Sequence, residues 1–108
     1  RSALMIRVMA EYGSSGVWGF SKNPSGLFKH GMMEHSELHM PRELRERFER
    51  WIQEYETKNL NDTLTMDLLN AEGLELARLL KAFLGPNQYV EYQGEAKDGG
   101  LLKSIIID

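Results

Sequence analysis

The sequence predicts an α+β domain, with a small three- to four-stranded mixed sheet and two helices packed on one face. Three observations lead there. Alternating apolar residues open the chain, two stretches of helical periodicity occupy its middle, and β-formers return near its end. Its 108 residues suit one domain, taken as 1–108.

Residues 4–10 read as a strand, with Ile6, Val8 and Ala10 on one face and Met5, Arg7 and Met9 on the other. Gly13-Ser14-Ser15-Gly16 ends it. Residues 13–40 are the least regular stretch and read as a long loop, with Asn23-Pro24-Ser25-Gly26 as a turn. Within it Val17-Trp18-Gly19-Phe20 suits a short strand or an aromatic patch. A loop of that length in a compact domain is uncommon unless it folds on itself or serves a function.

Pro41 suits the first position of a helix. Leu44, Phe48, Trp51, Ile52 and Tyr55 then form one apolar stripe, while Glu43–Arg47, Glu46–Arg50 and Glu54–Lys58 stand four apart in the favourable order. Asn59, Asn61 and Asp62 stop this helix. A second helix runs from Met66 or Ala71 to Leu84, with Asp67 or Asn70 as its cap and Gly73 weakening its first turn. Leu76, Ala77, Leu80 and Phe83 supply its buried stripe, and Gly85-Pro86 stops it. Residues 88–93 form a strand, Lys97-Asp98-Gly99-Gly100 a turn, and residues 101–107 a last strand. The three successive isoleucines of that strand imply a covered position. A crossover through two helices is compatible with a first strand parallel to strand 88–93, and the last two strands are expected to form an antiparallel hairpin.

Net charge is −3, unevenly spread: residues 34–75 carry eleven acidic and five basic side chains. An acidic middle repels phosphate backbones and disfavours nucleic acid, but steers a basic protein partner toward it. There is no cysteine, which excludes disulfides and thiolate metal sites. No apolar run approaches a membrane span, and Arg7 interrupts the opening apolar stretch, so neither a membrane segment nor a secretory leader is expected.

No catalytic motif is complete. His30, His35 and His39 fall within ten residues beside Glu34 and Glu37. With residues 35–39 helical, His35 and His39 would stand one turn apart, a spacing that can hold zinc or nickel. His35-Ser36-Glu37 is also the H-x-E half of a zinc deaminase, but the cysteine ligands are missing. Gly13-Ser14-Ser15-Gly16 lacks the lysine of a phosphate-binding loop, and no G-x-S-x-G elbow exists. Glu34 with Glu37, and Glu72 with Glu75, are carboxylate pairs with no neighbouring base. Trp18, Phe20 and Phe28 belong to no periodic stripe, and so are a minor core or exposed anchors.

Met9-Ala10-Glu11-Tyr12-Gly13-Ser14-Ser15-Gly16-Val17-Trp18, Asn70-Ala71-Glu72-Gly73-Leu74-Glu75-Leu76-Ala77, Gly85-Pro86 and Tyr89-Val90-Glu91-Tyr92 resemble segments of small bacterial proteins of about this length. Some of these are similar to immunity proteins, which protect a bacterium from a contact-dependent or polymorphic toxin. The resemblance implies a cytoplasmic, non-catalytic module without a cofactor that occludes a bound toxin domain, frequently a basic nuclease. Tyr12, Trp18, Phe20, Glu34 and Glu37 are then the expected partner surface, aromatic anchors with a carboxylate rim. Two alternatives stand beside it. One is a metal-assisted hydrolase using the 30–39 histidine and glutamate loop; the other is a homodimer burying the open sheet face or the last strand.

Overall fold

The computed structural model describes residues 5–22, 28–96 and 100–108, apart from the side chains of residues 21, 22 and 28–30. Five strands, β1 (Met5–Val8), β2 (Val17–Lys22), β3 (Phe28–Met32), β4 (Tyr89–Tyr92) and β5 (Ile105–Ile106), form one sheet in the order β3-β2-β1-β4-β5. Two helices, α1 (Arg42–Thr57) and α2 (Thr63–Leu84), lie between β3 and β4 in the chain. β1 and β4 are parallel, and the other pairs are antiparallel. The sheet thus has one strand more than the three to four expected.

The additional strand comes from residues 13–40. Instead of a long loop, β2 and β3 form a hairpin in register from Trp18↔Met32 to Lys22↔Phe28, followed by a 3-10 helix, His35–Leu38. Gly19 stands opposite Gly31, and these two glycines dilute the β-propensity that would mark the strands. The turn expected at 23–26 lies outside the described residues.

The stripe of α1 is the one expected: Leu44, Phe48, Trp51, Ile52 and Tyr55 are its buried residues. Pro41 sits one position earlier than expected, at the N-cap. α2 begins upstream of both expected starts. Its cap is Asp62, whose carboxylate accepts from the Thr65 N–H at 2.9 Å, and Asp67 and Asn70 lie inside the helix. Met66 and Leu69 are buried, whereas Phe83, expected in the core, is 42% exposed.

Gly73 is mid-helix rather than in a weak first turn. A Cβ there would meet Tyr92 at 2.5 Å and Trp51 at 2.6 Å. The missing side chain lets β4 and α1 close on α2, and the Trp51 indole N–H donates to the Leu69 carbonyl at 2.9 Å. Ile6, Val8, Val17 and Val90 are fully buried in the same core as Phe48, Leu76 and Leu80. That burial is the main source of stability.

Two ion pairs depart from expectation. Arg47 passes its helical neighbour Glu43 and grips Glu72 of α2 with two nitrogens, Nη2 at 2.7 Å and Nε at 3.1 Å. Glu72, expected as half of a free carboxylate pair, is therefore paired, and its bond raises the Arg47 pKa. Arg42 pairs with Glu46 at 3.2 Å, while Glu54–Lys58 forms as expected at 3.5 Å.

The last strand is shorter and less covered than three isoleucines suggested. Among the described residues the strand is reduced to Ile105 and Ile106, with an isolated bridge from Leu101 to Glu95 before it; both isoleucines lie at the sheet edge, 49% and 60% exposed. Ile107 alone turns into the core, its N–H donating to the Val90 carbonyl at 2.9 Å. Of the turn expected at 97–100, residues 97–99 lie outside the described part.

Candidate functional site

The end of the sheet where β1 stops and β2 begins gathers most of the expected contact residues around one loop. Gly13 and Gly16 take positive φ, +69° and +82°, and let the chain reverse sharply between the strands. One flank of the loop is tied to α1. The Gly13 N–H donates to the Glu56 carboxylate at 2.6 Å, and the Tyr12 ring lies 5.1 Å from that of Tyr55. The other flank is tied to the 3-10 segment: the Ser15 hydroxyl donates to the Met33 carbonyl, and the His35 Nε2 lies 2.9 Å from the Ser15 carbonyl.

Tyr12 is 62% exposed, Glu34 and Glu37 lie on the surface across the loop from it, and Glu11 and Glu56 are exposed beside it. Glu37 also accepts from the Glu34 N–H at 2.7 Å, closing the cap of the 3-10 helix. Tyr55 donates its hydroxyl to Glu95; burial and that bond push the phenol pKa up. Asn70 holds the neighbouring chain by accepting from the Tyr92 hydroxyl at 2.9 Å and the Glu95 N–H at 3.1 Å. Between Met9, Trp51, Met66 and Tyr92 the remaining space is about 10 Å³, room for one water and far too small for a substrate. This end is a carboxylate-rich protein surface with a tyrosine at its centre, held by hydrogen bonds to the scaffold.

Trp18 and Phe20 belong to the sheet face away from the core. The register sets Trp18 beside Arg7 and Phe20 beside Met5, while Tyr89 and Glu91 line the same face from β4. Trp18 is half-buried, its indole N–H donating to the Met9 carbonyl at 3.0 Å. Phe20 is only 7% exposed. The Arg7 guanidinium sits 5.1 Å over its ring, and the Tyr89 ring meets it edge-on at 6.3 Å. Arg7 in turn pairs with Glu91, a carboxylate 4% exposed, which also accepts from the Tyr89 hydroxyl at 2.6 Å. Burial, followed by the bond to Glu91, pushes the Tyr89 phenol up to about 12. Sequence reasoning did not anticipate this network. Part of its signal was available, since alternation set Arg7 on the face opposite Ile6 and Val8; the pairing across 84 positions was not.

Among the described residues no three histidine or carboxylate side chains are grouped to hold a metal ion. His35 is buried against Phe48, and its Nε2 must carry the proton because a carbonyl oxygen only accepts. His39 is the exposed left-handed cap of a 3-10 helix, φ +53°, so the one-turn spacing of an α-helix is not formed. The side chains of His30 and Phe28 lie outside the described residues. No helix among the described residues is long and apolar enough to cross a membrane.

Neither the curated proteins nor the solved structures contain a match to this chain. A family model, described as Serratia CdiI immunity protein-like, matches residues 4–95. That span takes in β1 to β4, both helices, the loop bearing Tyr12 and the Arg7–Glu91 network, so the chain belongs to the Serratia CdiI immunity protein-like family.

Proposed function

We propose that this chain is a non-catalytic immunity protein that binds the toxin domain of a contact-dependent inhibition system and neutralises it by occlusion. The family match across residues 4–95 is the observation that carries this reading. The surface chemistry supports it. Tyr12 offers an exposed aromatic anchor, and Glu11, Glu34, Glu37 and Glu56 surround the same loop with negative charge. Such a surface fits a basic toxin domain, a nuclease among the chemistries that fit, because carboxylates speed encounter while a central ring supplies contact energy. Trp18 borders the surface, and Phe20 supports the adjoining face from beneath. The protein acts in the cytoplasm, where an incoming toxin domain would be met.

Growth rescue tests the reading. Each reading frame neighbouring this one in its source genome is expressed alone and then together with this protein. The expected result is one toxic neighbour whose toxicity disappears only on co-expression. Absence of any toxic neighbour, or toxicity that persists with this protein present and soluble, contradicts it.

A further inference from the structure

We propose that β5 pairs with β5 of a second copy of this chain, joining two sheets across a twofold axis at Ile106. Ile105 and Ile106 are separated from β1 and its loop by β4, and their pairing does not depend on the toxin assignment. β5 is the outermost strand, and Leu101, Leu102, Ile105 and Ile106 are 57%, 46%, 49% and 60% exposed around it. An edge of that composition is a template for another strand.

The ladder fixes which groups are offered. Ile107 donates inward to Val90, so the alternation of an antiparallel pair turns the N–H and C=O of Ile106 outward. Two antiparallel copies then exchange both hydrogen bonds at Ile106, with the Ile106 side chains neighbouring on the outer face and Ile105 opposite Ile107 on the inner one.

Charge selects a second copy as the occupant. The apolar strand is bounded by Lys103 on one side and Asp108 on the other. In the antiparallel register Ser104 of each copy stands opposite Asp108 of the other, with Lys103 next to it, so unlike charges meet at both ends. A parallel copy would set lysine beside lysine and aspartate beside aspartate. Each strand is therefore complementary to itself in one orientation only, the isologous contact that a twofold dimer requires.

Sedimentation velocity of the intact chain, from about 1 to about 100 μM, tests this. The expected result is a reversible shift from monomer to dimer across that range. Lys103→Glu alone and Asp108→Lys alone each weaken the dimer by about tenfold, and the double variant returns it to within about twofold of wild type. Ile106→Lys is monomeric throughout with an unchanged thermal midpoint, because the side chain it replaces is exposed and a lysine blocks edge pairing. A wild-type protein that is monomeric at every concentration overturns the proposal. So does a dimer indifferent to Ile106→Lys, or a double charge variant no better than the singles. An Ile106→Lys variant that loses toxin protection while wild type stays monomeric gives the edge to a toxin strand, and overturns it as well.

Discussion

The face of the sheet under the helices carries Ile6, Val8, Val17 and Val90, all fully buried, whereas the opposite face carries Arg7, Trp18, Phe20, Tyr89 and Glu91. The first is held by apolar burial and close packing, which respond to volume. The second is held by an ion pair, a hydroxyl–carboxylate bond and ring contacts, each of which needs its partner in one position and one charge state. A face that satisfies its own charged groups needs no partner for stability. The adjoining loop end, with Tyr12 and its carboxylates, is exposed instead.

On the covered side, changes of volume are expected to have the largest effects. Trp51→Ala removes a ring 2% exposed and the donor to Leu69, and is expected to cost about 4 kcal/mol in urea unfolding. Gly73→Ala adds one methyl where Tyr92 and Trp51 already close. It is expected to cost about 2 kcal/mol despite the better helix propensity of alanine. A neutral Gly73→Ala would mean that β4 and α1 do not approach α2 as closely as described.

On the open side, charge is the variable. Glu91→Ala leaves Arg7 without its partner and is expected to cost about 2 kcal/mol, less than a fully buried pair because a quarter of the Arg7 side chain reaches solvent. Alkali tests the same network. The Tyr89 phenol ionises near 10 when unfolded and is raised to about 12 in the fold. Below pH 10 both states keep the proton and the stabilisation is complete. From pH 10 to 12 the unfolded chain gives up a proton that the folded chain holds, so stability falls as pH rises. Tyr55 and Tyr92 are raised too and steepen the fall. Thermal melts between pH 9 and 12 read it, and Tyr89→Phe is expected to flatten the slope; an unchanged slope would remove Tyr89 from the account.

What the sequence revealed followed how local the cause was. The α1 stripe was legible in full because five large apolar residues repeat every three or four positions with opposite charges between them. Of the β2–β3 hairpin only Val17-Trp18-Gly19-Phe20 suited a strand, and β3 read as loop. The hairpin's inner face carries Gly19 and Gly31, so its alternation reads as aromatic against glycine and resembles a loop. The start of α2 was hidden because Asp62 both ends one connection and caps the next. Ile105–Ile107 looked buried on both sides, but burial there depends on strand order, which no local pattern encodes. At the candidate site, Tyr12, Glu34 and Glu37 were legible as exposed residue types in a glycine-rich segment. Their support by Tyr55, Glu56, Ser15 and His35 was not, because each tie joins distant positions.

The smallest expected effect on stability is at that surface. Tyr12→Ala is expected to change it by under about 0.5 kcal/mol in urea unfolding, because the ring is mostly solvated. A larger loss would make the Tyr12–Tyr55 contact structural.

The proposed toxin surface is tested most directly by calorimetry. The dissociation constant for the rescued toxin domain is measured with wild type and with a triple variant, Tyr12→Ala, Glu34→Gln and Glu37→Gln, in which the glutamine at 37 keeps the acceptor for the Glu34 N–H. Affinity is predicted to weaken at least about tenfold with the unfolding midpoint nearly unmoved. Unchanged affinity in a folded triple variant would contradict the assignment and place the toxin elsewhere on the molecule.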